Sequence, residues 1–343
     1  MRRARIKADG AGYYHGVSRI IERRMILGEV EKERFLKLMR NLAAFGGLTI
    51  LSYCLMTNHF HILLYVPQRE DVSDETLLQR LRHILSAAEV DFIARQLQEY
   101  RSRQGQDMAA DSLKVRFTYR MYDLSEFFKA LKQQFSQFYN AKNDRRGPLW
   151  EERFKSVLVE AASETLLTMA AYIDLNPVRA GMVQDPKDYR YSSYGAALGG
   201  SPDARQGLQD LIHLTGEHSQ PTWDQAQRTY RQRLYAAGSQ KGVDAQGRPI
   251  RQGFTRDQIE KVVQEGGRLP LHDILRCRVR YFTDGLAVGR QEFVESVFVR
   301  YRGQFGAKRK TGARPLRFGE WDDVCSLRDL RLQVVSCGEG PFS

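Results

Sequence analysis

Met56-Thr57-Asn58-His59-Phe60-His61-Ile62-Leu63-Leu64-Tyr65-Val66 places two imidazoles two residues apart at the head of an apolar run. Alternate residues of a strand share a face, so His59 and His61 project together while Phe60 turns into a core. The preceding apolar run, residues 48–56, joins this one through Thr57-Asn58, and the two read as adjacent antiparallel strands. Two neutral imidazoles side by side form half of a metal site. With 7 His in 343 residues, a His-x-His arises by chance in roughly one such chain in seven. The pair therefore needs a third ligand and a nucleophile from elsewhere in the chain to carry chemistry.

A chain of 343 residues can bury a full core and suits two domains. Its 42% apolar and 27% charged residues are ordinary for a soluble globular protein. The formal charge of +12 is not ordinary. It favours a polyanionic partner over an acidic small substrate. Cys54, Cys277, Cys325 and Cys337 form no C-x-x-C pair, which points away from a zinc finger or a disulfide framework. Met1-Arg2-Arg3-Ala4-Arg5 lacks the apolar segment of a signal peptide, and no apolar run approaches 18 residues. The expected setting is a reducing cytoplasm, with no membrane partner.

Upstream of the histidine strand, Tyr13 to Ser18 reads as a first strand, with His15 taken as a strand or core histidine and not as a ligand. Residues 30–45 follow, carrying Phe35, Leu38, Met39, Leu42 and Phe45 at helical spacing up to Gly46-Gly47. Downstream, residues 71–103 read as a charged, Leu-rich helical stretch, an insertion or a hairpin-facing element, and 104–111 as a polar break. Asp123-Leu124-Ser125-Glu126 has capping-box spacing. Leu124, Phe127, Phe128, Leu131, Phe135 and Phe138 then mark one buried helix face, with Tyr139 beside it as a packed aromatic.

The next loop mixes cations and aromatics: Lys142, Arg145, Arg146, Trp150, Arg153, Phe154 and Lys155. Cations contact phosphates and exposed rings stack on bases, so the loop reads as a nucleic-acid surface. A short strand over 154–160 is followed by a helix opened by Ser163-Glu164. Thr168, Tyr172 and Asn176 repeat every four residues along one edge of it, and Pro177 limits it to about Asn176. Gly199-Gly200-Ser201-Pro202 reads as a domain boundary. Beyond it lie a helical stretch at 223–234, a polar linker at 238–253 and helical patterns at 256–264 and 290–302. Residues 300–318 hold Arg300, Arg302, Lys308, Arg309, Lys310, Arg314 and Arg317 with no acidic residue. No phosphate-cradling glycine motif is present, which argues against a nucleotide cofactor.

Five motifs in this order resemble the REP-associated tyrosine transposases, within the single-tyrosine HUH transposases and nucleases. They are Tyr13-Tyr14-His15, Met56 to His61, Arg145 to Trp150 with Arg153-Phe154-Lys155-Ser156, Tyr172 to Gly181, and Tyr189 to Tyr194. The resemblance covers residues 1–198. It implies an α/β (α+β) ferredoxin-like domain with a central antiparallel sheet, followed by a smaller, mostly helical region. Three segments are expected: a catalytic domain over 1–198, a linker and helical segment over 199–253, and a basic accessory domain over 254–343. A chain ending near Gly200 should then keep the catalytic domain and lose affinity for DNA.

The resemblance further implies metal-dependent cleavage and rejoining of single-stranded DNA at hairpin-bearing, REP-like palindromes. Tyr172 maps onto the nucleophile, His59 and His61 onto the metal pair, and Asn176 onto a residue that can complete the metal site. Two imidazoles suit zinc or manganese, whereas an amide oxygen beside phosphate suits magnesium or manganese, which makes Mg²⁺ or Mn²⁺ the expected ion. DNA contacts are expected from Arg145, Arg146, Trp150, Arg153, Lys155, Arg179, Lys308, Arg309 and Lys310, in a nucleoid-associated monomer or homodimer. The alternatives are a domesticated, non-catalytic hairpin binder and, in another class, a zinc hydrolase. The hydrolase lacks H-E-x-x-H and a carboxylate partner.

Overall fold

The computed structural model describes residues 5–103, 105–214, 216, 219–236, 285–315 and 324–327. The expected linker at 238–253, the helical pattern at 256–264 and the last residues of the 300–318 run lie outside them. In chain order the elements are β1 (Gly12–Arg19), α1 (Glu29–Gly46), β2 (Thr49–Leu55), β3 (His59–Val66), α2 (Asp74–Leu81), α3 (Ala87–Ser102) and α4 (Asp107–Thr118). They continue with α5 (Leu124–Lys142), β4 (Lys155–Val159), α6 (Ser163–Asp174), α7 (Asn176–Arg179), α8 (Ser193–Leu198), α9 (Pro202–His213) and α10 (Trp223–Ala236). Last come β5 (Ala287–Arg290), α11 (Gln291–Arg300), β6 (Arg314–Pro315) and β7 (Val324–Ser326).

The strands form one mixed sheet in the order β2-β3-β1-β4-β5-β7-β6, antiparallel throughout except for the β4–β5 pair. The histidine strand is therefore an interior strand, flanked by the edge strand β2 and by β1. Its two faces are covered by different helices. Phe60 points to one side and stacks against Phe35 of α1 and Phe128 of α5, with ring centroids 4.9 and 6.0 Å away. His61, on the opposite face, meets α6. Each of these buried aromatic side chains contributes roughly 1.5–3 kcal/mol.

α5 sits close to β1 because β1 has no side chain at Gly16. A Cβ there would lie 2.1 Å from Phe128 Cζ. The helix starts where the sequence placed it: the Asp123 carboxylate accepts hydrogen bonds from Ser125 N at 2.6 Å and Glu126 N at 2.9 Å. α6 starts differently. Ala162 occupies its N-cap without a side-chain hydrogen bond, and Ser163 is already helical.

The expected helical stretch at 71–103 resolves into α2 and α3, and α4 begins at Asp107, inside the residues read as a polar break. The three enclose a satellite core of Leu77, Leu81, Val90, Ile93, Leu97 and Leu113 that reaches Phe45 of α1. Arg101 ties the three helices on the outside through Asp74, Asp107 and Asp111.

The glycine-rich break at 199–202 does not end the packing. Leu208, Leu211, Ile212, Tyr230 and Leu234 belong to the same core as the sheet, and α9 lies on β2 with Gly207 where a Cβ would be 2.5 Å from the Ile50 carbonyl. The C-terminal residues also add strands that the sequence did not announce. β5 pairs with β4 in parallel through Leu158↔Ala287 and Val159↔Val288. The Glu160 carboxylate fastens the junction, accepting from Arg290 N at 2.7 Å and Arg290 Nε at 2.9 Å.

Candidate active site

The register sets the site. Across β3 and β1, His61 stands opposite Val17 and His59 opposite Arg19. His15, two residues along β1, lies on the same face as Val17, and its Nε2 is 3.0 Å from His61 Nδ1, with the rings stacked at a centroid distance of 5.2 Å. His15 was expected to be a strand or core histidine. It is on a strand and fully buried, but its ring is spent on the neighbouring imidazole.

The two β3 histidines hold distinct states. His59 Nδ1 is 2.7 Å from Asn58 Oδ1. An amide oxygen only accepts, so Nδ1 carries the proton and the lone pair sits on Nε2. His61 is 2% exposed, and its Nε2 has no hydrogen-bond partner. Burial, reinforced by His59 and His15, holds its pKa well below the ordinary imidazole value, so the ring is neutral. A buried ring nitrogen without a hydrogen-bond partner suits a cation in the tautomer that leaves it the lone pair, and in this respect the residues fit a divalent metal. Among the described residues, no three His, Cys, Asp or Glu side chains form a complete metal-binding set.

Tyr172 enters this group from α6. Its half-buried ring is edge-on to His61 and His15, with centroids 6.0 and 6.3 Å away. The phase of α6 is fixed one turn-fraction later by Asp174, which is fully buried. Its carboxylate accepts from Tyr230 Oη at 2.6 Å and Tyr194 N at 3.0 Å. Burial raises the Asp174 pKa to about 7. The Arg179 guanidinium lies 4.2 Å from the centroid of the Tyr172 ring and donates to the Tyr172 carbonyl. Asn176 Nδ2 donates to the carbonyls of Tyr172 and Ile173, each at 3.1 Å. The amide thus closes the end of α6, and any metal contact from Asn176 would fall to its oxygen.

Apart from Arg179, which lies on Tyr172, the expected DNA residues separate into three kinds. Arg146, Arg153, Lys155, Lys308 and Lys310 are exposed. Arg145 and Arg309 fold loops: Arg145 donates to Asn140 Oδ1 at 3.0 Å and to Pro148 O at 2.8 Å. Arg309 donates to the carbonyls of Thr311, Gly312 and Leu327, with Phe298 and Phe305 about it. Trp150 corrects the sequence reading. It is 9% exposed and Phe154 is 7% exposed, so neither offers a face for base stacking. Trp150 packs on Phe60, Phe35 and Phe135, and its Nε1 donates to Lys132 O at 3.1 Å and Ser136 Oγ at 3.0 Å.

The sequence reading did not give His15 a role in the site. Its signal was present in the period-two alternation of Tyr13, His15 and Val17, but only the β1–β3 register puts it beside His61.

No curated protein matches the chain. A solved structure described as "Structure of the REP associates tyrosine transposase bound to a REP hairpin" aligns at 15% identity, covering 60% of this chain and 90% of its own, with a TM-score of 0.38. Tyr172 and Asn176 fall outside the residues that a family model matches. Residues 10–99, about a quarter of the chain, include His15, His59 and His61 and match the family described as "Transposase IS200 like".

Proposed function

We propose that this chain cleaves and rejoins single-stranded DNA beside REP-like hairpins through a covalent bond to Tyr172. The observation that carries the reading is that one chain brings Tyr172 to His61, its ring 6.0 Å away, within reach of the buried, unpartnered Nε2. The preference for hairpins rests on the motif resemblance of residues 1–198, and the transposase class also on the family match over 10–99.

In this reading the Tyr172 oxygen attacks a backbone phosphorus, and the bond from phosphorus to the 3′ oxygen breaks. A 5′-phosphotyrosine and a 3′-hydroxyl result, with the phenolic proton passing to the departing oxygen through water. Attack by a 3′-hydroxyl on the phosphotyrosine reverses the step and restores the phenol, so rejoining needs no nucleotide. A phenol of ordinary pKa, about 10, is ionised in roughly one molecule per thousand at neutral pH. Arg179, over the Tyr172 ring, offers donors to the phosphate. His59 and His61, with Asn176 Oδ1, would hold Mg²⁺ or Mn²⁺, which when bound neutralises phosphate charge and orients the bond. Asn58 and His15 keep the two imidazoles oriented.

The test is incubation of the full chain with hairpin-bearing single-stranded DNA and Mn²⁺, followed by denaturing electrophoresis. Protein joined to the 5′ end of a cut oligonucleotide is expected, lost reversibly in EDTA and lost in His59→Ala and His61→Ala. DNA binding with no adduct from the intact chain would leave the non-catalytic binder instead.

A further inference from the structure

Three cations come together on the α5 side of the sheet, away from the histidines. Arg5 leads into β1 along the start of α5, where its Nη1 donates to Ser125 Oγ at 2.8 Å. Its guanidinium lies 3.5 Å from the centroid of the Phe154 ring. Lys132 lies seven residues beyond Ser125, on the same face of α5. Its Nζ donates to the Glu152 carbonyl at 2.5 Å and sits 5.4 Å from the Trp150 ring. Arg153 is exposed on the loop between those two rings. The loop cannot drift from α5, because Trp150 Nε1 is bonded to Lys132 O and Ser136 Oγ.

The carboxylates that act on this group, Asp123 on Arg5 and Glu152 on Lys132, do so through space, and their effect is smaller than that of burial. None of Arg5, Lys132 and Arg153 forms an ion pair with a described carboxylate. The nearby Asp123 is bound to Lys7 at 3.0 Å and caps α5. The charges also feel one another. The Arg5 pKa is lowered to about 10, by burial first and then by Arg153. That of Lys132 falls to about 8, by burial and then by Arg5 and Arg153. Holding two partly buried cations beside a third without an ion pair destabilises the folded chain, and such clusters mark places where an anion completes the balance.

Its position says which anion. Glu151 N donates to the Arg19 carbonyl at 2.9 Å, and Arg19 stands opposite His59. The cluster therefore begins two residues beyond the row of the sheet that holds His59.

We propose that Arg5, Lys132 and Arg153 form a binding site for the phosphodiester backbone of DNA, on the strand leading away from the active site. The inference rests on the DNA-processing reading above. With Trp150 and Phe154 buried, this site reads backbone charge and not bases, so it adds affinity without sequence preference.

The experiment is the salt dependence of binding of a fluorescent single-stranded oligonucleotide to the full chain, by anisotropy. Each phosphate that the protein no longer neutralises makes the slope of log affinity against log salt shallower by about 0.7. Arg5→Gln and Lys132→Gln should each show that change, and Lys132→Arg should restore the slope. Arg95→Gln, an exposed cation on α3, should leave it unchanged. Melting curves identify a variant that has failed to fold, and Lys132→Arg then decides the matter. Slopes equal to the parent in folded Arg5→Gln and Lys132→Gln overturn the proposal. Stabilisation by inorganic phosphate together with unchanged DNA slopes would assign the cluster to free phosphate and overturn it too. The slope is read without cleavage, so a chain that never forms an adduct refutes the catalytic reading and leaves this one standing.

Discussion

His15 Nε2 and His61 Nδ1 lie 3.0 Å apart inside the sheet, two buried imidazoles sharing one proton. Two arrangements satisfy that contact. If His15 donates, His61 carries its own proton on Nε2, which is buried with no acceptor, at a cost of about 1–3 kcal/mol. If His61 donates, its Nε2 keeps a lone pair directed at the site. The second arrangement is the one a metal would select. Removing the acceptor should therefore weaken metal binding even though His15 touches no metal. His15→Phe is expected to lower Mn²⁺ affinity about 10–100-fold by titration calorimetry. His15→Gln, whose amide oxygen can accept the same proton, should recover much of it. Equal affinity in His15→Phe would reduce His15 to packing.

Tyr172 and Tyr139 are both half-buried tyrosines packed on the core, and only Tyr172 reaches the imidazoles. Tyr172→Phe should abolish the covalent adduct while oligonucleotide affinity stays within a few-fold. Tyr139→Phe should keep the adduct. Arg179→Gln should slow its formation about 10²-fold or more, since it removes the one described cation lying over the nucleophile. An adduct in Tyr172→Phe would move the nucleophile elsewhere.

Trp150 is expected to behave as a core residue. Trp150→Ala should cost about 3–5 kcal/mol in denaturant unfolding, with DNA affinity per folded molecule nearly unchanged. Arg146→Gln should do the reverse. A Trp150→Ala protein of parental stability that had lost DNA binding would restore the stacking role.

The sheet and the histidine strand were legible because alternation is local: Phe60 against His59 and His61 can be read from three residues. Trp150 was not legible in that way. A tryptophan among arginines looks the same in sequence whether its ring faces solvent or, as here, fills the space beside Phe60 and Phe135. β5 was missed for a related reason. Ala287-Val288-Gly289-Arg290 is too short to show a period, and it becomes a strand by pairing with β4, more than a hundred residues earlier. The meeting of Arg5 with the 150–154 loop is equally non-local.

Lys132 gives a pH dependence of stability. Its folded pKa, about 8, lies below the ordinary 10.5. Between those values the unfolded chain holds a proton that the folded chain has released, so stability from this group rises as pH goes from about 8 to 10.5. Lys132→Met should remove that rise and be the more stable protein below pH 8. Urea midpoints for both proteins across the range test this. Parallel curves would mean that Lys132 keeps its ordinary affinity for protons.

The glycine-rich break at 199–202 invites a cut there, but the packing argues that residues 1–200 cannot stand alone. Such a chain loses Leu208, Leu211, Ile212, Tyr230 and Leu234, each fully buried. At about 1.5–3 kcal/mol apiece, they match the whole stability of an ordinary domain, about 5–15 kcal/mol. It also strips the Tyr230 hydroxyl from Asp174, two residues from Tyr172, leaving a buried carboxyl short of a donor. β4 loses its outer neighbour at Leu158 and Val159 as well, and an unpaired apolar edge promotes association. Residues 1–200 should therefore show no cooperative thermal transition and no adduct at any DNA concentration. Residues 1–240, which keep α9 and α10, should melt cooperatively, form the adduct and tend to associate through β4. A cooperative transition for residues 1–200 at the parental temperature would show that the helices beyond the break are an addition to the catalytic unit and not a wall of it.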